Sequence, residues 1–131
     1  MVYPIQETVL LIDDDSDDQQ LFREALEVIN PELIFHGVFN GIEALEKLKT
    51  PPPPKAIFMD INMPQMDGFQ CLKALKASKD LSGIPVIMFS TSRSPDDIRR
   101  ALDLGAIYFI TKTDTFNALV VKLNEVIQKI P

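Results

Sequence analysis

A single cysteine, Cys71, stands among 131 residues, so no internal disulfide can form. It lies in Phe69-Gln-Cys-Leu-Lys-Ala-Leu75, a helical pattern, and reads as a small buried hydrophobe. A basic surplus is also missing. Thirteen Lys and Arg face nineteen Asp and Glu, a net charge of −6. That balance excludes nucleic acid or an anionic membrane as the main partner, because both recruit positively charged surface. No apolar stretch approaches the ~20 residues of a membrane span. The opening Met1-Val-Tyr-Pro-Ile-Gln-Glu7 lacks a basic segment followed by an apolar one, so no secretory leader is read and a cytoplasmic location is expected. The composition that remains, 46% apolar and 24% charged, is that of a soluble globular protein. One domain over 1–131 is expected, its core about 7–130, with no output domain.

Acid is concentrated in one place. Five carboxylates fall within Asp13-Asp14-Asp15-Ser16-Asp17-Asp18, directly after the apolar run Thr8-Val-Leu-Leu-Ile12. A helix N-terminus explains part of this, since Asp and Ser are favoured there. Asp17 and Asp18 suit a first turn, and Ser16-x-x-Gln19 reads as a capping box. Asp15 reads as a solvated or capping charge. Asp13 and Asp14 precede the cap and are not explained by it. Like charges delivered to one strand end stay ionised only with a compensating cation or hydrogen bonds. Oxygen-only ligation suits Mg²⁺, Mn²⁺ or Ca²⁺.

Apolar strands and amphipathic helices alternate along the whole chain. Strands are expected at about Val9–Asp13, Leu33–Val38, Ala56–Asp60, Val86–Ser90 and Ile107–Thr111. Helices are expected at about Asp17–Ile29, from the Asn40 cap to Lys49, Phe69–Ala77, from Ser94-Pro95 to Gly105, and Thr115–Ile130. The inward faces are read as Leu21, Phe22, Ala25, Leu26 and Ile29 in the first helix and Ile42, Leu45 and Leu48 in the second. In the last they are Phe116, Leu119, Val120, Leu123, Ile127 and Ile130. Pro51 to Pro54 form a stiff, extended connection. Five β-α units with near-continuous apolar strands imply an α/β fold, a parallel sheet covered on both faces. Sites in such sheets form beyond the strands' carboxyl ends.

At those ends stand Asp13 and Asp14, Asp60, Ser90 with Thr91, and Lys112. Carboxylates, a hydroxyl and an ammonium at one rim suit phosphoryl transfer. A divalent cation and a lysine neutralise phosphoryl oxygens, a hydroxyl donates to another, and one carboxylate can act as nucleophile. Asp60 is best placed for that role, on the strand expected between the others. Three other classes compete. A Mg²⁺-dependent phosphatase needs a general acid two residues after the nucleophile, where Asn62 is a poor proton donor. A flavodoxin-like electron carrier needs a phosphate cradle where this chain has five acids. A degenerate binding module would have no use for the intact acidic set.

The run Asp60-Ile-Asn-Met-Pro-Gln-Met-Asp-Gly68 resembles the phosphoacceptor motif D-x-x-M-P-x-M-D-G of response-regulator receiver domains, and the likeness extends from about Glu7 to Ile130. It implies the flavodoxin-like (CheY-like) doubly wound fold, five parallel strands in order 2-1-3-4-5 with five helices. It implies a phosphoprotein of two-component signalling rather than an enzyme. Asp60 would accept the phosphoryl group from a histidine kinase or histidine phosphotransfer protein. Mg²⁺, with Mn²⁺ as a substitute, would be held by Asp13, Asp14, Asp60 and the backbone carbonyl of Asn62. Ser90 would be the switch hydroxyl, Lys112 the site lysine and Phe109 the aromatic switch. The surface of helix 4, strand 5 and helix 5 would then bind a downstream protein, the chain remaining a monomer or dimerising on phosphorylation. Two positions depart from the pattern. Lys112 is followed by Thr113 rather than proline, so that peptide is expected to be trans, a non-proline cis bond costing ~2.5–4 kcal/mol. Thr91 replaces a very small residue and is expected to narrow access to the phosphoryl group. His36, the one histidine, reads as a packed or edge-strand residue.

Overall fold

The computed structural model describes residues 6–131. Met1–Ile5, on which much of the leader reading rests, lie outside them. Ten elements alternate without interruption: β1 (Thr8–Ile12), α1 (Ser16–Ile29), β2 (Ile34–Val38), α2 (Gly41–Lys47), β3 (Ala56–Met59), α3 (Gly68–Ala77), β4 (Val86–Ser90), α4 (Pro95–Asp103), β5 (Tyr108–Thr111) and α5 (Phe116–Lys129). All strand pairs are parallel, in the order β2-β1-β3-β4-β5. β3 is therefore central, and β1 and β3 lie side by side where the strand order reverses. Among the described residues no helix is long and apolar enough to cross a membrane.

Strand alternation sorts the core into two layers. Leu10, Ile12, Ile57, Met59, Val86 and Met88 face Ala44, Phe69, Leu72, Leu75 and Ala101 of α2, α3 and α4. Val9, Leu11, Phe58, Ile87 and Phe89 face Phe22, Leu26, Leu119, Leu123 and Ile127 of α1 and α5. Phe22 anchors the second layer, its ring meeting those of Phe58 and Phe89 edge-on at 5.0 and 5.6 Å. Such geometry adds ~0.5–1.5 kcal/mol beyond area burial. Cys71 is fully buried, and burial pushes its thiol up to about 11.

The helix starts follow their caps, with one correction. Asn40 and Ser94 accept from backbone amides as expected, Thr115 caps α5 in the same way, and Asp67 and Gln70 form a reciprocal capping box. At α1 the cap is Asp15, not Ser16: its carboxylate accepts from the amides of Asp17 and Asp18 at 2.9 and 3.1 Å. A charged acceptor bridges two orphan amides better than a hydroxyl can. Gln19 is consequently free of capping. Its buried amide nitrogen donates to the carbonyls of Asp13 (3.0 Å) and Val38 (2.9 Å), tying α1 to the ends of β1 and β2.

Two of the inward faces were drawn too wide. Leu21 and Ile42 are exposed, while Phe22, Ala25 and Ala44 take the buried positions. In α1 the buried stripe is centred on Phe22, Ala25 and Leu26, which leaves Leu21 at its edge; in the short α2 the small Gly41 and Ala44 let the helix sit close to its neighbours. His36 is half-buried on the edge strand β2. Burial, then the charge of Lys47, lowers its pKa. The peptide between Lys112 and Thr113 is trans, and the one cis peptide among the described residues joins Pro51 to Pro52.

Candidate functional site

The sheet's hydrogen bonding runs on past β1 and β3, and this is what juxtaposes their carboxylates. The Asp13 amide donates to the Val38 carbonyl and the Asp60 amide to the Ile12 carbonyl, each at 3.0 Å. Asp13 and Asp60 are thereby buried at adjacent strand ends, while Asp14 is exposed at the rim. Each of these three residues offers a carboxylate oxygen within 4.8 Å of the others.

Backbone amides orient the two buried carboxylates. Asp13 Oδ1 accepts from the Asp15 amide at 2.9 Å, and Asp60 Oδ1 accepts from the Ile61 amide at 2.8 Å. Both Oδ2 atoms turn toward Lys112. Its Nζ lies 2.9 Å from Asp13 Oδ2 and 3.4 Å from Asp60 Oδ2. The approach to Asp13 is an ion contact without hydrogen-bond geometry, so Asp13 Oδ2 is a buried oxygen with no hydrogen bond. The Lys112 ammonium balances its charge, and its lone pairs stay open to a further cation. Three converging carboxylates with one orphaned oxygen fit a hard divalent cation.

The charges follow from this packing. Burial raises the Asp13 carboxyl to about 6, although contacts with Lys112 and Asp15 oppose the rise. Burial also raises Asp60, against the opposing attraction of Lys112. Burial by itself would lower the Lys112 ammonium, but the hydrogen bond to Asp18 and the close negative charges of Asp13 and Asp60 more than offset it, leaving it raised.

Asp18 was not among the residues expected here. Its Oδ2 accepts from Lys112 Nζ at 2.7 Å, the shortest of the three carboxylate contacts. The sequence offered one clue: an acid in the first turn after β1 overhangs the strand ends, as the capping Asp15 does not. The packing of α1 beside α5 then brings it to the end of β5.

The remaining expected residues surround this centre. Ser90 is fully buried at the end of β4, and its Oγ accepts from the Ser92 amide at 3.3 Å. Ser92 Oγ donates in turn to Asp97 of α4 at 2.7 Å, and Thr111 Oγ1 donates to the Ser92 carbonyl at 3.2 Å. Phe109 packs half-buried against the α2–α4 layer, and Tyr108 against the opposite one, as strand alternation requires. Asn62 and Thr91 are exposed in the loops after β3 and β4. The loop from Asp60 to α3 turns through Gln65, whose φ of 68° is the left-handed region. It closes where the Gly68 amide donates to the Ile61 carbonyl at 2.7 Å. A Cβ on Gly68 would sit 2.3 Å from the Asp60 carbonyl oxygen, so only glycine permits that closure.

A parallel 2-1-3-4-5 sheet bearing a carboxylate trio and a lysine at its carboxyl edge defines a class of signalling domain. Residues 9–124 match the response regulator receiver domain, and the chain belongs to that family. Response regulator Rcp1 of Synechocystis sp. is 32% identical over 113 residues, which cover 80% of this chain and 76% of that protein. A protein-glutamate methylesterase/protein-glutamine glutaminase of Methanococcoides burtonii is 38% identical over 126 residues, 92% of this chain. The chain spans about a third, 34%, of that relative's length. Among solved structures, the phosphorylated cyanobacterial phytochrome response regulator RcpA superposes with a TM-score of 0.88 at 28% identity, covering 96% of this chain and 94% of that one. The Mn²⁺-bound form of Rcp1 superposes with a TM-score of 0.83 at 26% identity, over 94% and 93% of the two chains.

Proposed function

We propose that this receiver domain accepts a phosphoryl group on Asp60 from the phosphohistidine of a histidine kinase or phosphotransfer protein, and that it relays the change to a protein target. The observation that carries this reading is the division of labour on Asp60. One oxygen is fixed by the Ile61 amide, and the other faces Lys112 at the edge of the acidic cluster. A carboxylate held in that way presents Oδ2 as nucleophile in a single orientation. The bond from Oδ2 to phosphorus forms as the P–N bond breaks, and the imidazole leaves with the electron pair.

Asp13, Asp14, Asp60 and the Asn62 backbone carbonyl are the groups that would hold Mg²⁺ or Mn²⁺. That cation, when bound, neutralises phosphoryl oxygens. Lys112 supplies the second positive charge, and its raised pKa keeps it cationic across the physiological range. Ser90 donates its hydroxyl to a phosphoryl oxygen after leaving Ser92. Its displacement opens space that Phe109 fills by changing rotamer. The surface of α4, β5 and α5 is thereby switched for binding a target or a second copy of the chain. Methylesterase activity belongs to the name of a much longer relative and is not assigned to this chain.

Incubation with acetyl phosphate and Mg²⁺, followed by intact-mass analysis and peptide mapping, tests the assignment. One acid-stable, base-labile phosphoryl group is expected on Asp60, and none in Asp60→Asn. Label on His36 or on a serine would overturn it. No label at all would favour a phosphorylation-independent binding module.

A further inference from the structure

Lys112 touches three carboxylates, and they are not equivalent. Asp13 and Asp60 belong to the trio whose oxygens converge within 4.8 Å, whereas Asp18 does not. On both Asp13 and Asp60, Oδ1 is taken by a backbone amide. The oxygens that take no backbone amide are the two Oδ2 atoms, and these are the atoms that the ammonium contacts. A divalent cation drawing on them would meet a positive charge about 3 Å from each, and the two cations would repel one another strongly at protein dielectric. The ammonium must yield. Its tightest partner is Asp18 Oδ2, at 2.7 Å on the α1 side of the site and outside the trio. Phe89 offers only its ring face, 5.3 Å from Nζ.

We infer that Asp18 is the positioning residue to which Lys112 withdraws when a divalent cation occupies Asp13, Asp14 and Asp60. With the cation absent, one ammonium bridges all three contacts and partly neutralises the cluster. With it present, Lys112 keeps a charge-assisted hydrogen bond to Asp18 and gives up Asp13. Asp18 therefore makes room for the cation without losing the lysine from the site. The inference rests on the cation reading above and adds to it a fourth carboxylate that holds no metal.

The test is Mg²⁺ binding alone, followed by the NMR shifts of the Ile61 and Gly68 amides. Asp17 provides the control. It is exposed on the same turn and carries the same charge, and its side chain makes no contact with Lys112. Asp18→Asn is expected to weaken Mg²⁺ about tenfold, and Asp17→Asn about twofold or less, the size of a screened surface charge. In a Lys112→Met background, adding Asp18→Asn is expected to cost no more than adding Asp17→Asn. Equal losses from Asp17→Asn and Asp18→Asn would overturn the role, as would a tenfold loss that persists without Lys112. If wild type itself shows no Mg²⁺-dependent shifts, the cation reading of the trio fails first. That result is distinguishable from wild-type binding that is indifferent to Asp18.

Discussion

Consider Asp13→Asn in the protein without divalent cation. Asp13 is wholly buried, and its carboxyl moves from an ordinary value of 3.8 to about 6. Its neutral form is thus the one the fold prefers. Below pH 3.8 the carboxyl is protonated in both folded and unfolded chains, and no penalty arises. As pH rises toward 6 the unfolded chain ionises first, so stability falls; above about 6 the penalty is complete. One pKa unit is ~1.4 kcal/mol, which puts the full penalty on the order of 3 kcal/mol. Asparagine escapes it, since it carries no charge and its Oδ1 can still accept from the Asp15 amide. The attraction of Lys112 that the substitution removes is already contained in that figure. A gain of about 3 kcal/mol, at roughly 3–5 °C per kcal/mol for this length, raises Tm by about 9–15 °C at neutral pH. Differential scanning calorimetry at several pH values with EDTA present is the assay. The gain should vanish near pH 4, and Mg²⁺ should narrow it at neutral pH by stabilising wild type more than the variant. A variant that melts at or below the wild-type temperature at neutral pH would refute the reasoning. So would a gain independent of pH.

Two further outcomes follow from the loops around the site. Ser90→Ala should still take up phosphoryl on Asp60, yet beryllofluoride should shift the backbone NMR signals around Phe109 far less than in wild type; identical shift patterns would remove Ser90 from the coupling. Gly68→Ala should destabilise by about 2–3 kcal/mol in denaturant unfolding, because its Cβ meets backbone at Asp60 and Ile61 rather than a movable side chain. A loss below about 0.5 kcal/mol would show that the loop has room to relax.

Much of the architecture was already legible in the chain. Strand and helix periodicities, proline and glycine stops and cap residues placed all ten elements within a few residues. Strands apolar on both faces required a parallel, doubly covered sheet, and Asp13, Asp60, Ser90 and Lys112 fell at strand ends by counting alone. Such features depend on nearest neighbours in sequence, and local chemistry suffices to read them. What only the tertiary structure decided were relations between distant segments. Ser16 or Asp15 could each have capped α1; the choice fell to Asp15, and Gln19 turned inward to bind carbonyls of β1 and β2. Leu21 and Ile42 match helical spacing yet lie exposed, while Ala44, not read as inward, is buried. Asp18 reads as one more helix-start acid, and nothing local distinguishes it from Asp17. It meets Lys112, ninety-four residues away, only because α1 packs beside α5 above the end of β5. Periodicity assigns a residue to a face, whereas the partner across a gap is set by how two such faces dock.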